Sequence, residues 1–148
     1  MHYFIDGYNV LYALPDMPAG TWEMKRDALL RKIAAEKPHG KNQVTVVFDS
    51  REGAGSQSRR ADIAIAFTSG ETADDWISNH VREAVNPRVY IVVTDDQGLR
   101  RLIRGTGAKW LGTGDFWRQA KAVPIPRTAP GAEIDSDSIT EEMKKKWL

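Results

Sequence analysis

Residues 1–10 read MHYFIDGYNV, a short apolar strand that runs directly into Asp6, a glycine and Asn9. The strand has no polar face, so it belongs in a parallel sheet covered on both sides, with its polar end at the sheet's carboxyl edge. Open α/β folds bind their ligands at that edge. Residues 44–49 (VTVVFD) and 89–96 (VYIVVTDD) repeat the arrangement. Three strands are therefore predicted to deliver carboxylates to one rim.

The composition is that of a single globular domain. The chain has 148 residues, 41% of them hydrophobic and 28% charged, which is enough to bury a core and argues against wholesale disorder. The absence of cysteine excludes disulfides, thiol nucleophiles and cysteine metal sites. A net charge of +1 means that any nucleic-acid contact must use a local basic surface. With neither a signal peptide nor a membrane-length apolar run in the sequence, we expect a cytoplasmic protein without membrane partners.

Helices and strands are predicted to alternate along the chain, which indicates an α/β fold with a mainly parallel sheet. The segment after Asn9 is predicted to be a loop, and Thr21 is a predicted N-cap for the first helix. The further expectations are an arginine-bearing flexible loop at 50–60, an edge or half-covered strand at 61–67, a helix from 71 to about 85, a basic helix at 97–105 and a strand at 108–111. The inward faces of the first and the basic helix are assigned to Met24, Ala28, Leu29 and Ile33, and to Leu99, Leu102 and Ile103.

The C-terminal part differs in amino-acid composition from the rest of the chain. Residues 122–148 begin with a proline-rich linker and end with Ile139, Met143 and Trp147 at helical spacing. The chain is therefore divided into a domain at 1–121 and an appended linker with a short amphipathic helix at 122–148.

The chemistry is expected to come from carboxylates. The three histidines are scattered, no serine lies in a nucleophile elbow, and no Walker-type loop is present. Like charges gathered at one rim repel each other unless a cation neutralises them, and oxygen ligands of this kind suit Mg²⁺ or Mn²⁺. The polar residues predicted at strand ends or at one helix N-terminus are Asp6, Asn9, Asp49, Glu71, Asp74, Asp75, Asp95 and Asp96.

Each acidic residue also has a structural explanation, because Asp and Glu are common after strands and in the first turn of a helix. Thr72 and Asp75 resemble a capping box, which accounts for Asp75. Helical spacing places Asp74 on the face of Ile77 and Val81, which must pack toward the sheet. We therefore predict that Asp74, rather than Asp75, is the metal-site residue, with Glu71 one turn before it.

Four motifs together resemble the YacP-like NYN nucleases, which are relatives of the PIN domains. They are DGYN at 6–9, VFD at 47–49, GETADD at 70–75 and VVTDD at 92–96, and the resemblance covers residues 3 to about 117 in the right order. It implies a PIN-like three-layer α/β/α sandwich and a metal-dependent, usually endonucleolytic ribonuclease. Some family members act on messenger RNA at the ribosome, so RNA is the expected partner.

Site residues follow from the resemblance position by position. It implies an acidic centre of Asp6, Glu71, Asp74 and an aspartate after Thr94, with Asn9 assisting. PIN-type motifs usually read Thr-x-Asp, which matches Asp96 and leaves Asp95 at the variable place. Asp6, Asn9, Glu71, Asp74 and Asp96 are thus the catalytic candidates, Asp95 is a further metal ligand, and Asp49 and Asp75 are additional candidates.

Other functional classes remain open from the sequence. The same fold can serve as a catalytically weak RNA-binding or ribosome-associated module. A haloacid-type phosphatase needs a second aspartate where Tyr8 stands, and a receiver domain needs an acidic pair after the first strand. The glycines at 53 and 55 lack the third glycine of a dinucleotide fingerprint. The arginines that could position the RNA backbone are Arg51, Arg59, Arg60, Arg100, Arg101 and Arg104, but they are equally explained as surface residues, so no specific contact is assigned to any of them.

Overall fold

The computed structural model describes residues 1–16, 19–49, 56–60 and 62–122, and these form an α/β domain. Strands and helices alternate along most of it, as the sequence predicts. In chain order the elements are β1 (His2–Asp6), α1 (Gly7–Tyr12), α2 (Trp22–Glu36), β2 (Gln43–Phe48), β3 (Ser56–Arg60), β4 (Ile63–Phe67), α3 (Ala73–Glu83), a 3₁₀ turn (Pro87–Val89), β5 (Tyr90–Val93), α4 (Gln97–Ile103), β6 (Lys109–Leu111) and α5 (Thr113–Ala122).

The strands form one sheet in the order β3-β4-β2-β1-β5-β6. All neighbours are parallel except β3, which pairs antiparallel with β4 at the edge. In the central register, Asp6 lies opposite Val47, and Ile5 lies opposite Val93. The carboxyl ends of β1, β2 and β5 therefore meet at one edge, as the three strand-end motifs predict.

Alternating side chains of β1 pack on opposite faces of the sheet, which is the basis of the three layers. Ile5 belongs to a core with Leu29 and Ile33 of α2 and Phe116 of α5. Phe4 belongs to a second core, whose members from the helices are Ala73, Ile77 and Val81 of α3 and Leu99 and Ile103 of α4. Because both faces are covered, the central strands need apolar residues at every position. The prediction of an α/β/α sandwich around a mainly parallel sheet is confirmed.

Two elements differ from the sequence predictions. The expected loop after Asn9 begins as a helix, because α1 starts at Gly7 directly after β1. The expected flexible loop at 50–60 includes β3, whose residues pair with β4 from Ser56 to Arg60. The residues of β3 are polar, so the sequence does not show the alternation of apolar residues that predicts a strand. An edge strand does not need that alternation, because one of its sides is open to solvent. That pairing also makes β4 the second strand of the sheet rather than its edge.

Two predicted core positions are wrong. Met24 of α2 is 58% exposed and Leu102 of α4 is 39% exposed, whereas Leu30 is buried. The error in α2 is one of helical phase, because Met24 precedes the buried Ile33 by nine residues, which is about two and a half turns and places it on the opposite side of the helix. The predicted N-cap is confirmed: Thr21 Oγ1 accepts from the Met24 N–H at 3.2 Å.

The last described element, α5, ends at Ala122. The linker and amphipathic helix expected at 122–148 lie, after Ala122, outside the described residues, so the domain boundary stays a prediction. Within the described ranges, every helix is too short or too polar to cross a lipid bilayer.

Gly7 makes the close contact between α1 and the sheet. A Cβ atom at this position would lie 2.4 Å from the ring of the fully buried Phe48 and 3.0 Å from the Val47 carbonyl oxygen. Only a residue without a side chain lets the chain turn from β1 into a helix that starts against β2. The glycine in the DGYN motif therefore has a packing role.

Replacing Gly7 with alanine is expected to lower the free energy of unfolding by roughly 1–3 kcal/mol, the usual cost of overpacking. Gly114→Ala is the matched control, because a Cβ there would make ordinary contacts at 3.5 Å or more in the first turn of α5. Urea denaturation of the two variants measures the difference. Equal stabilities for Gly7→Ala and the wild type would show that Phe48 moves aside without cost.

Candidate metal centre at the carboxyl edge

Three carboxylates come together where β1, α3 and α4 meet. Asp6, Asp74 and Asp96 each place an oxygen so that all three atoms lie within 4.8 Å of one another. Asp6 ends β1, Asp74 lies in the first turn of α3, and Asp96 is the N-cap of α4 just after β5. We call this group the acidic cluster. It lies at the carboxyl edge of the sheet, where the strand-end pattern predicts a site.

Asp6 is the buried member of the acidic cluster, with 7% of its surface exposed. Its carboxylate Oδ2 accepts a hydrogen bond from Thr94 Oγ1 at 3.1 Å. Burial is the main cause that raises the pKa of Asp6 to about 6. The hydrogen bond from Thr94 opposes this shift, and the charges of Asp96 and Asp49 contribute to it. The ionised form of Asp6 is therefore disfavoured in this fold, because burial and two neighbouring carboxylates oppose its charge.

Asp74 and Asp96 are joined by a side-chain hydrogen bond. Burial, followed by a hydrogen bond to Asp96 and the charge of Asp6, raises the pKa of Asp74 to about 7. The same hydrogen bond lowers the pKa of Asp96, together with the backbone N–H groups at the start of α4 and the charge of Arg101. The hydrogen bond between them therefore favours a protonated Asp74 beside an ionised Asp96.

Thr94 holds two members of the acidic cluster in position. Its side chain is fully buried, and its hydroxyl donates to Asp6 while accepting from the Asp96 N–H at 3.0 Å. The Thr94 backbone is fixed in turn by Trp110, whose Nε1 donates to the Thr94 carbonyl at 2.8 Å. The threonine of the Thr-x-Asp motif therefore sets the relative position of Asp6 and Asp96. Sequence reasoning used this threonine only to mark the motif.

Replacing Thr94 with valine keeps its shape but removes the hydroxyl, so Asp6 loses a donor and the Asp96 N–H loses an acceptor. We expect the free energy of unfolding to fall by about 1–3 kcal/mol, the usual cost of leaving buried polar groups unpaired. Divalent-ion affinity is expected to fall roughly 10- to 100-fold, as for other residues that orient metal ligands. Thr94→Ser retains the hydroxyl and is the control. Calorimetry measures the divalent-ion affinity of both variants. If Thr94→Val and Thr94→Ser both bind the ion as tightly as the wild type, Thr94 does not position the metal ligands.

Asn9 and Asp95 form a second contact between β1 and β5. Asn9 Oδ1 accepts from the Asp95 N–H at 2.7 Å. The Asp95 carboxylate faces α5 instead, where it accepts from Thr113 N at 2.9 Å and from Thr113 Oγ1 at 2.5 Å. Asp95 was predicted to be a metal ligand, but it is not among the clustered carboxylates and its hydrogen bonds are those of a helix cap. Asn9 acts on the loop that carries Asp95 and Asp96.

The other acidic candidates lie around the start of α3. Asp49 accepts a hydrogen bond from the Ala73 N–H, and its charge helps to raise the pKa of both Asp6 and Asp74. Asp75 is exposed, and its N–H donates to Thr72 Oγ1 at 3.1 Å, as the capping-box pattern predicts. Glu71 is exposed one residue before that cap and is not part of the acidic cluster, although the sequence placed it there. Glu71 precedes the N-cap Thr72, so it lies outside α3 and does not share the helical face of Asp74.

The donor set fits a hard divalent cation. Three carboxylate oxygens converge, and burial, together with the neighbouring carboxylates, raises the pKa of Asp6 and Asp74. Mg²⁺ and Mn²⁺ bind to a few carboxylates and complete their shells with water and substrate oxygens. Asp6, Asp74 and Asp96 are the residues that would hold such an ion.

The arginines differ in their surroundings. Arg101 lies near enough to Asp96 to lower its pKa, so it borders the acidic cluster. Arg100 stacks over Trp110 at 4.1 Å, and Arg60 pairs with Asp27. Arg59 and Arg104 are exposed, and Arg51 lies outside the described residues. Among the described arginines of that set, Arg101 is the one whose charge acts on a carboxylate of the acidic cluster.

The fold and the acidic cluster together define a nuclease-type α/β domain, and comparison with known families agrees. The family model of the YacP-like NYN domain matches residues 3–147. The chain therefore belongs to the YacP-like NYN domain family, a group with a nuclease-type fold. The match extends past residue 117, where the resemblance based on the motifs ends, and through most of the proline-rich segment.

The relatives include a protein of Bacillus subtilis (strain 168) described as uncharacterized protein YacP. It is 30% identical over 162 aligned positions, covering 97% of this chain and 94% of the relative. A crystal structure of Rae1 (YacP) from Bacillus subtilis superposes with a TM-score of 0.66 at 24% identity, over 98% of this chain and 80% of that one. The structure of its W164L mutant gives 0.64 at 28% identity, over 81% and 74%. These structures confirm the fold.

Proposed function

We propose that this protein is a divalent-metal-dependent ribonuclease that cleaves RNA phosphodiester bonds internally. The observation that supports the proposal is the acidic cluster, in which Asp6, Asp74 and Asp96 lie within 4.8 Å at the carboxyl edge of a nuclease-type fold. A bare cluster of this kind is costly, since Asp6 and Asp74 both have raised pKa values. Such a cost is typical of functional sites rather than of structural ones.

Different residues of this chain have different roles in the proposed reaction. A bound Mg²⁺ or Mn²⁺ would supply positive charge to the scissile phosphate and make a water molecule more acidic. Asp6, Asp74 and Asp96 would hold the ion, and Thr94 fixes the positions of Asp6 and Asp96. Arg101 beside Asp96 is placed to contact a phosphate oxygen of the RNA backbone. Asn9 holds the turn after β5 through Asp95.

Purified protein incubated with a circular, labelled single-stranded RNA tests the proposal. We expect cleavage with Mn²⁺ or Mg²⁺ and none in EDTA, and because a circle has no ends, its linearisation shows internal cutting. Binding of the RNA without cleavage at any divalent-ion concentration would refute the proposal and favour an RNA-binding module. A role on messenger RNA at the ribosome, which the family resemblance implies, is tested separately by whether added ribosomes change the rate.

A further inference from the structure

Three aromatic side chains from α1 and α2 meet on the surface of the protein. Trp22 contacts Tyr8 and Tyr12 edge to face, with ring centroids 5.4 and 5.7 Å apart. Tyr12 is 61% exposed and Trp22 is 45% exposed. We call Tyr8, Tyr12 and Trp22 the aromatic platform. The sequence gives no single motif for it, because its members are separated by the segment between the two helices.

Cations accompany the aromatic platform. The Lys25 ammonium lies 4.6 Å from the centre of the Trp22 ring. The Arg26 guanidinium donates to the Tyr8 hydroxyl at 2.9 Å and lies over the ring of Phe67 at 5.3 Å. Glu23 is the acidic side chain in the same helical turn, and it is exposed. Exposed rings flanked by a lysine and an arginine offer both stacking faces and positive charge, which a purely apolar partner would not need.

The aromatic platform lies at the same carboxyl edge of the sheet as the acidic cluster, on the face covered by α2, whereas Asp74 and Asp96 belong to α3 and α4 on the other face. The α1 helix begins at Gly7, immediately after Asp6, and Tyr8 packs on Phe48, the last residue of β2, at 5.1 Å. The α2 helix returns the chain from the carboxyl edge to the start of β2, so its first residue, Trp22, belongs to the same edge. Tyr12 follows Asp6 by six residues, and a helical rise of about 1.5 Å per residue places it roughly 9 Å along the axis.

We propose that the aromatic platform stacks unpaired bases of single-stranded RNA next to the cleavage point, an inference that rests on the proposed function. Base stacking on exposed aromatic rings is tolerant of sequence and needs an accessible base face. Duplex RNA keeps its base faces covered and is recognised by shape and backbone instead. The platform therefore selects single-stranded substrate and positions it at the sheet edge that carries the acidic cluster.

The test compares variants that lose a ring with variants that keep one. Trp22→Leu and Tyr12→Leu remove the aromatic face, whereas Trp22→Phe and Tyr12→Phe retain it. Both sites are exposed, so the fold is expected to persist, and circular dichroism checks this. Affinity for a fluorescent single-stranded RNA is measured by anisotropy in EDTA, where cleavage does not interfere. Val85→Ala, at a fully exposed site outside the platform, controls for the loss of surface apolar area.

We expect each leucine variant to bind roughly 5- to 100-fold more weakly, the usual effect of losing one stacked base, and each phenylalanine variant to bind nearly as the wild type does. Abasic RNA should bind all of them equally, and duplex RNA should not distinguish them. If the leucine variants bind RNA as well as the phenylalanine variants and still cleave it, the proposal of base stacking on the aromatic platform is wrong, whereas the proposed ribonuclease function stands. A wild-type protein that neither binds nor cleaves single-stranded RNA would overturn both proposals.

Discussion

Replacing Asp6 with asparagine is expected to reduce RNA cleavage by more than about 100-fold, beyond the effect usual for residues that merely support a metal ligand. Asparagine keeps the shape of the side chain and an oxygen that accepts from Thr94 Oγ1. It removes the charge that an ion would bind. The loss should therefore appear in ion affinity and catalysis and not as unfolding.

The same substitution is expected to stabilise the metal-free protein at high pH. Asp6 has a pKa of about 6 in the fold against 3.8 ordinarily, so the folded state binds more protons between these values. The free energy of unfolding of the wild type therefore falls as the pH rises through this window. Asp74 has a pKa of about 7, so it extends the window to higher pH. At about 1.4 kcal/mol for each tenfold change in proton affinity, ionised Asp6 costs on the order of 3 kcal/mol.

Thermal melts in EDTA from about pH 5 to pH 8 measure this effect, since the linkage is a difference in bound protons. The wild type should lose stability as the pH rises, and Asp6→Asn should lose less and melt higher at the alkaline end. Glu83→Gln, at an exposed carboxylate at the other end of α3, should follow the wild type. A lower melting temperature for Asp6→Asn than for the wild type at about pH 8 would show that ionised Asp6 stabilises the fold, against this account.

The second large effect is expected at Asp74 and not at its neighbour. Asp74→Asn should lose more than about 100-fold in cleavage, because Asp74 is a member of the acidic cluster. Asp75 is exposed, and its contact with Thr72 uses the backbone N–H, which asparagine retains. Asp75→Asn should therefore cost at most about 1 kcal/mol, through the loss of negative charge at the start of α3.

Both variants are assayed at saturating Mn²⁺, with stability measured on the same samples. The adjacent carboxylates have the same chemistry and helix position to within one residue, so each is a matched control for the other. Equal losses of activity would mean that the two aspartates act together or that Asp75 turns toward the acidic cluster when RNA is bound. Either result would contradict the division of roles between them.

The sequence was most informative where one rule fixes several residues at once. The parallel strand pattern predicts that Asp6 and Asp96 share an edge, because strand ends in one register must meet there. Helical spacing from Ile77 and Val81 predicts the inward direction of Asp74 in the same way. Both arguments are local, and the geometry of the acidic cluster agrees with them.

Other features depended on contacts that the local sequence does not encode. Asp95 and Asp96 are both carboxylates after β5, and the Asp95 carboxylate accepts its hydrogen bonds from Thr113, eighteen residues away. Glu71 was assigned by resemblance, and the position of the cap at Thr72 leaves it before the helix. The short helix α1 has the turn-like sequence Asp-Gly at its start, and β3 gains its structure by pairing with β4. The aromatic platform arises only when α1 and α2 pack together.

The central claim, that the acidic cluster is a divalent-metal centre, is tested most directly by anomalous diffraction from crystals soaked in Mn²⁺. The account predicts an anomalous peak coordinated by oxygens of Asp6, Asp74 and Asp96, and its disappearance in crystals of Asp6→Asn soaked in the same way. A peak held by Asp95 or Glu71, or no peak between the three clustered carboxylates at saturating Mn²⁺, would contradict it.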